Sequence, residues 1–590
     1  ANLPNPVSYR DVTDKTKQTR NLSTFYVQLE PIEKLQIRTS IGYDGQESTR
    51  ETYFPKTFLL GKNRDSQANI GYANREDLLF NTVATYNFSL LKEHMFTVMA
   101  GYEYQEFNSK GHSLSGSGFF TDAFLFNNIG VSDQEKYEIG SYRNKEVLAS
   151  YFGRINYSLK DKYLLTFNLR YDGSDKFGKN NKWGLFPSAS AGWRISEEEF
   201  LRGYDPLSNL KLRVSYGQTG NSNIGSNAFS FFDPNSNRFA FNSLPVTGVE
   251  LSQIANNDLR WETSTEFNIG LDVGFFNNRI SGVIELFDKT ISDLLGSRNL
   301  RSWMVVPSVA ANLGKTQSKG IEFTLNTVNI KKQDFQWKTD FTYTLYRDRW
   351  KERSPDVVLS PWQKVDDPIR ALHYWKTDGI IQQGETVSHM PNAVPGNSKV
   401  IDFNGFDENM NYLGEPDGII NEADIVYWGT SDPDYSFGFN NTLNYRDFDL
   451  NVYLYGTIGQ LSFNGIKSKY IGYSSHMVED GTNLWVEASN RWSSDNPNGI
   501  YPSDAVNSYM GADAWTIEDA SFVRVKNITL GYNIPSNKLG NGISKIKLYV
   551  DVQNPLIFTN WTGMDPEIAG GNRAPYPNQR SYSIGMNVEF

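Results

Sequence analysis

The chain has no cysteine among its 590 residues. That excludes a disulfide framework, a thiol nucleophile and a thiolate metal site. Histidine is nearly as scarce: His94, His112, His373, His389 and His476 are scattered, which excludes most zinc and copper schemes. No serine elbow and no phosphate-binding glycine loop occurs. Carboxylate neighbours such as Asp366 and Asp367 read as solvated loop charge, so an enzyme is not expected. An excess of basic residues is missing too. The net charge is −10, which argues against nucleic acid as the main partner. Nor is there a run of about 18 apolar residues, so no helix is expected to cross a membrane. Low hydropathy leaves membrane strands open, because barrel strands are apolar only at every second position. The chain opens at Ala1 in polar, loop-like sequence without a signal peptide; the expectation is a mature fragment, or a protein whose N-terminal part lies elsewhere.

Aromatic residues are abundant instead: 37 Phe, 33 Tyr and 13 Trp. They fall in alternating runs. Tyr163, Leu165, Phe167, Leu169 and Tyr171 share one face of an extended segment, opposite Thr166, Asn168, Arg170 and Asp172. Phe267, Ile269, Leu271, Val273 and Phe275 likewise oppose Glu266, Asn268, Gly270, Asp272 and Gly274. Ile546, Leu548, Val550 and Val552 oppose Lys545, Lys547, Tyr549 and Asp551. The chain ends the same way, with Tyr582, Ile584, Met586, Val588 and Phe590 on one face. An alternating strand that closes on a terminal aromatic is typical of outer-membrane barrels, and these five residues form a candidate barrel-assembly signal. Each run has about the 9 to 11 residues a tilted strand needs to cross a bilayer. Charge and glycine on the second face suit a hydrated lumen. The expected fold is all-β: a transmembrane antiparallel β-barrel with about 17 strands here.

Short links alternate with long ones. Pro31–Glu33, Leu91–Glu93, Lys160–Asp161, Asn277–Asn278, Lys331–Gln333 and Arg446–Asp447 are short, whereas 108–140, 221–260, 348–430 and 461–514 are long. Short turns at one rim and long loops at the other form the outer-membrane pattern, with the long loops extracellular. Residues 1–20 read as a loop or upstream segment, and 21–590 as the barrel. Ser196–Glu199 opens like a capping box and predicts a short helix in one link. Tyr43, Tyr102, Tyr157, Tyr171, Trp183, Trp193, Trp337, Tyr435 and Tyr445 cap strands and read as interfacial anchors. Strand parity places Phe590 at the periplasmic rim and requires an odd number of strands before Asn21.

Several segments, in this order, resemble the SusC/RagA-type TonB-dependent transporters: 146–178, 183–200, 207–221, 256–289, 314–326 and 519–537. The resemblance runs from about Asn21 to Phe590. It implies a barrel of about 22 strands around an N-terminal plug, so about five strands and the plug would precede this stretch. It also implies active, TonB-dependent import of oligosaccharides in the outer membrane of a Gram-negative cell. A SusD-like surface lipoprotein would close over the mouth, and two such pairs would associate. The same family imports oligopeptides, and a passive porin or structural barrel is the reading from another class. No cofactor is required.

One further feature comes with the resemblance. The family usually carries a D-x-N-G-D-G-x-I-x-x-x-D stretch similar to a calcium loop, here interrupted by an insertion, Phe406–Pro416. Across it, Asp402, Asn404, Asp417, the Ile419 carbonyl and Asp424 occupy positions 1, 3, 5, 7 and 12 of an EF loop, with Gly418 at the turn. Hard oxygen donors suit Ca²⁺; the alternative is an acidic surface turn held by Asx hydrogen bonds. Trp303, Trp362, Tyr374, Trp375 and Trp485 lie in the long loops. They are candidate ligand contacts, with loop-core packing as the alternative.

Overall fold

The computed structural model describes residues 6–590 apart from 202, 226–228, 234–237, 242–243, 355–356, 361, 406, 408–412, 473–482, 504–513, 536, 538–541, 569 and 571–575. Seventeen strands form one sheet. They are β1 (Thr13–Ile32), β2 (Leu35–Phe54), β3 (Gln67–Leu90), β4 (His94–Ser117), β5 (Glu138–Leu159), β6 (Tyr163–Ser174), β7 (Trp183–Arg194) and β8 (Leu207–Asn221). There follow β9 (Glu262–Phe275), β10 (Ile280–Ser292), β11 (Lys315–Lys331), β12 (Phe335–Glu352), β13 (Tyr435–Tyr445) and β14 (Phe448–Ile458). The last three are β15 (Phe522–Ile534), β16 (Lys545–Thr559) and β17 (Ser581–Glu589).

Every strand pairs antiparallel with its neighbour in this series, so the topology is a pure meander. Among the described residues no ladder joins β1 to β17, and the sheet has two open edges. Two-residue turns close the short links. Leu91 and Lys92 both adopt positive φ, 54° and 60°, the combination that matches the twist of paired strands.

The two faces differ as the alternation predicts. Phe167, Leu169 and Tyr171 are 52 %, 50 % and 42 % exposed, and Ile284, Leu286, Leu530, Leu548 and Val550 are also exposed. A contiguous apolar band open to the outside marks a membrane-facing surface. Phe590 follows the last paired residue and is exposed.

β1 to β5 run to 20–24 residues, about twice a bilayer crossing. Thr13–Arg20, expected as loop, are therefore strand, and the first connection shrinks from 108–140 to 118–137. The reason is chemical: above the membrane both faces of a strand meet water, so alternation stops while the backbone ladder continues. Cross-strand ion pairs mark this extension, Arg20–Asp44 at 2.6 Å and Arg50–Asp14 at 2.7 Å.

The capping box at Ser196 does not form. The link carries a single 3-10 turn, Ile195–Glu197, with no side-chain cap. Glu198 is taken instead by Tyr163 Oη (2.6 Å), Trp193 Nε1 (3.0 Å) and Lys162 Nζ (3.2 Å). These three donors hold its carboxyl down to about 2.

Candidate functional site: the polar face and the loop-built mouth

Tyr163 and Tyr171 bracket nine residues of β6 and mark the two rims of the apolar band. At the long-loop rim Tyr171 stacks on Trp183, ring centroids 4.8 Å apart, and Trp183 in turn lies by Tyr151.

On the opposite face, charge is paired across whole strands. Arg213 on β8, Gly270 on β9 and Glu285 on β10 lie in one row, and Arg213 reaches Glu285 at 2.6 Å over the glycine. A Cβ on Gly270 would lie 2.9 Å from the guanidinium. The same device recurs where Lys547 on β16 reaches Asp449 on β14 at 2.7 Å, over Gly531 of β15. There an added Cβ would meet Lys547 Cε at 2.5 Å and the Asp449 carboxylate at 2.6 Å. Glycine on this face therefore clears a path for long side chains to lie flat across a neighbouring strand. Arg213 also holds Asp272, and Arg170 holds both Asp172 and Glu103. A recess of about 500 Å³ opens on this face, lined by Phe152, Arg154, Asn168, Arg170, Ser188 and Thr219 among others.

The long loops are folded bodies. Residues 118–137 pack Phe119 and Phe126 on Tyr53 and Ala68 at the top of β2 and β3. Residues 222–261 send Leu259 and Trp261 against Phe177 and Phe186. The loop after β12 contains two small ladders, Ala371–Trp375 with Ile425–Thr430 and Thr377–Ile380 with Ser398–Val400. Its core is Ile381, Met390 and Val400, with Trp375 and Ile420 alongside. At its base Arg347 binds Asp434 (2.7 Å) and Arg370 binds Asp432 (3.2 Å). Burial, and then the nearby Asp348, push Asp432 up. His373 sits 3.5 Å from Asp367, and burial lowers its pKa.

Two buried polar nodes fasten other loops, the first joining loop to loop and the second joining a loop to the sheet, and neither was read from the sequence. Lys467 pairs with Glu518, both largely buried, and Asn464 and Thr562 donate to the same carboxylate. The Lys467 ammonium lies over the Tyr501 and Trp515 rings. Arg524, 3 % exposed, binds Asp565 at 2.6 Å, and Tyr455 bonds to Glu567 beside it. The available signal was a lone arginine within the apolar run Phe522–Val525. Its partner lies 41 residues away, out of reach of any local pattern.

The five loop aromatics divide. Tyr374 and Trp375 touch each other at 5.3 Å, Tyr374 packs on Phe463, and Trp375 Nε1 donates to the Asn421 carbonyl. These are loop-core positions. Trp485 stacks on Tyr470 and Trp362 is half-buried, whereas Trp303 is 71 % exposed with Arg301 over its ring. Among the described residues, only Tyr374 and Trp375 of the five make ring contact with one another.

The acidic loop is compact. Asp402 Oδ2 accepts from Gly418 N–H (2.8 Å), and Asp417 Oδ1 accepts from Ile419 N–H (2.9 Å). Asp424, fully buried, accepts from the N–H groups of Phe403, Asn404 and Asn421 and completes a capping box with Asn421. Burial raises its pKa, the three N–H donors oppose that, and Asp402 nearby adds to the rise.

With this architecture in view, the comparisons are direct. Residues 1–554 match the family model described as TonB dependent receptor-like, beta-barrel. The chain belongs to that family. TonB-dependent receptor P3 of Formosa agariphila is 30 % identical over 616 residues, 98 % of this chain and 58 % of that protein. TonB-dependent receptor SusC of Bacteroides thetaiotaomicron is 29 % identical, covering 94 % of this chain and 54 % of its own length. The chain thus spans rather more than half of these curated relatives. Among solved structures, the RagAB peptide transporter superposes with a TM-score of 0.86 at 22 % identity, over 99 % of this chain and 63 % of that one. That likeness concerns the fold.

Proposed function

We propose that this chain forms the wall and extracellular mouth of an outer-membrane importer, energised through TonB, that takes up oligosaccharides. The observation that carries the reading is the pairing of two faces on one 17-stranded meander. One face is apolar and open. The other carries ion pairs that lie over Gly270 and Gly531, with rings such as Phe152 and Phe186 laid over glycines beside them, polar and aromatic groups of the kind that bind sugar rings. Membership of a TonB-dependent receptor family supports active import over a passive porin, and a transporter over an enzyme. The two open edges cannot face lipid bare, since each unpaired backbone group there costs several kcal/mol. Further strands of the full-length receptor occupy them. A SusD-like surface lipoprotein covers the mouth, and two such pairs associate.

A second reading is oligopeptide import, favoured by the close fold match to RagAB, whose structures are described as a peptide transporter and importer.

The deciding experiment measures uptake of labelled oligosaccharides and oligopeptides in the host, once with the full-length receptor gene deleted and once with the receptor kept and TonB removed. Loss of oligosaccharide uptake in both backgrounds is expected. Loss of peptide uptake alone moves the assignment to the second reading, and uptake that persists without TonB makes the barrel a passive pore.

A further inference from the structure

We propose that the recess on the polar face of β5 to β8 is a subsite for an anionic sugar, a uronate carboxylate or a sulfate ester, held by Arg154. The proposal rests on the oligosaccharide reading and adds the charge of the substrate. Two arginines line this recess. Arg170 is already neutralised, by Asp172 at 2.7 Å and Glu103 at 3.0 Å. Arg213, further along the same face, likewise holds two carboxylates. Arg154 differs. Its Nε donates to Asn168 Oδ1 at 2.5 Å, and among the described residues no carboxylate stands within ion-pair distance of it.

The strand register accounts for the difference. Arg154 sits in one row with Met99 of β4, Asn168 of β6, Ser188 of β7 and Gly217 of β8, none of which carries charge. Asn168 Nδ2 donates in turn to Ser188 Oγ at 3.0 Å, which fixes its amide with the oxygen toward the arginine. A neutral acceptor thus holds the guanidinium by its Nε edge without discharging it. Among the described residues its two Nη groups donate to nothing. A planar fork of this kind takes two oxygens of a carboxylate or sulfate together.

The next row, toward the long-loop rim, supplies the other half of a sugar site. Phe152, Arg170 and Phe186 are partners across β5, β6 and β7. Phe152 lies over Gly101 and Phe186 over Gly220, so closely that a Cβ on either glycine would strike the ring. Both rings line the recess, and Gln218 and Thr219 close its far side. A pyranose has an apolar C–H face that packs on an aromatic ring, and oxygens that need donors and acceptors. Here the rings stand in one row, and cation, amide and hydroxyl stand in the next, about 7 Å along the strands. A neutral oligomer gains nothing from the free guanidinium. An anionic one supplies the partner that the wall withholds.

The test follows uptake by the full-length receptor in its host, with labelled oligosaccharides in matched pairs. One pair is an oligogalacturonate and its carboxyl-reduced form; the other is a sulfated galactan oligomer and its desulfated form. Wild type should take up the charged member of at least one pair about tenfold faster than its neutral twin, as a hydrogen-bonded charge implies. Arg154→Gln should lower uptake of the charged member to that of the twin, at an unchanged surface level of receptor. Arg154→Lys, a point charge without the fork, should keep part of the preference. Asn168→Asp should erase it, because it gives the arginine a carboxylate of its own; an arginine that merely braces the wall would gain from that change. Equal uptake of charged and neutral members by wild type would overturn the proposal and leave the oligosaccharide reading standing. So would an undiminished preference in Arg154→Gln or Asn168→Asp. Uptake of peptides, but of no sugar in either form, would overturn the oligosaccharide reading and this assignment with it. An Arg154→Gln receptor that loses thermal stability without ligand, its preference intact, would hand the arginine to a carboxylate elsewhere in the full-length chain.

Discussion

The sheet and the loops of this protein place their apolar residues in opposite ways. Nearly every fully buried apolar side chain belongs to a loop or to the strand tops that loops cover: Phe58, Phe119, Phe177, Leu259, Ile381, Met390, Ile471. Within the membrane-spanning part the large apolar residues are the exposed ones, as at Phe167, Leu169, Ile284 and Leu548. The loops are built like small soluble proteins, each with a core. The sheet is built for two solvents, lipid on one side and water on the other. The same residue types therefore carry opposite tests in the two regions. Enlarging or charging the sheet's apolar positions breaks contact with lipid, whereas truncating those of the loops opens a cavity.

The largest expected effect lies in a loop. Phe119→Ala should destabilise the 118–137 segment by roughly 3–5 kcal/mol through loss of a buried aromatic, while the barrel remains assembled. Hydrogen exchange should rise in that loop alone; equal exchange throughout would mean that the loops are not separate bodies. Next comes Leu271→Arg, which should cost roughly 2–4 kcal/mol in a folding titration because the residue faces lipid near the midplane. Asp272→Asn, one residue on and turned to Arg213, should cost less than about 1 kcal/mol. Equal penalties at the two positions would dissolve the distinction between the faces.

A smaller effect tests the Lys467–Glu518 node. Burial alone would push Glu518 up, but Lys467, Thr562 and Asn464 outweigh it and hold its carboxyl below the usual glutamate range. A depressed carboxylate contributes stability above its unfolded pKa and loses it as the pH falls through the depressed value. Protease resistance of the 459–521 loop should accordingly fall on acidification in wild type. In Glu518→Gln it should already be lower at neutral pH, by about 1–3 kcal/mol for a charge left without its partner, and should no longer change through that range.

How much could be read in advance follows the same division. Period-two alternation at Tyr163–Tyr171 or Phe267–Phe275 exposes a strand directly, because each strand pairs with its neighbour in sequence and needs no distant partner. The strand count was legible for that reason. Thr13–Arg20 were not, since a strand with water on both sides has no preferred alternation. Ser196–Glu199 was expected to open a short helix with a capping box, but the link forms a single 3-10 turn without one, and Glu198 in the same link accepts from Tyr163 and Trp193, brought beside it by the β6–β7 ladder. In the loops, the acidic spacing of Asp402, Asp417 and Asp424 was legible, but the backbone N–H groups that their carboxylates accept were not. That Asp424 is consumed by backbone N–H groups, and that Leu413 closes the insertion on Gly405, are facts of three-dimensional folding. The Arg524–Asp565 and Lys467–Glu518 nodes join residues far apart in the chain, with nothing local to announce them.

The absence of cysteine makes the central claim directly measurable. Leu271→Cys and Asp272→Cys each introduce the sole thiol of the chain, on opposite faces of β9 at the same depth. In the intact outer membrane a membrane-impermeant maleimide should label the cysteine at 272 and leave that at 271 unmodified, with the preference reversed for a lipid-soluble reagent. Equal labelling at both positions would contradict a sheet that divides lipid from an aqueous passage.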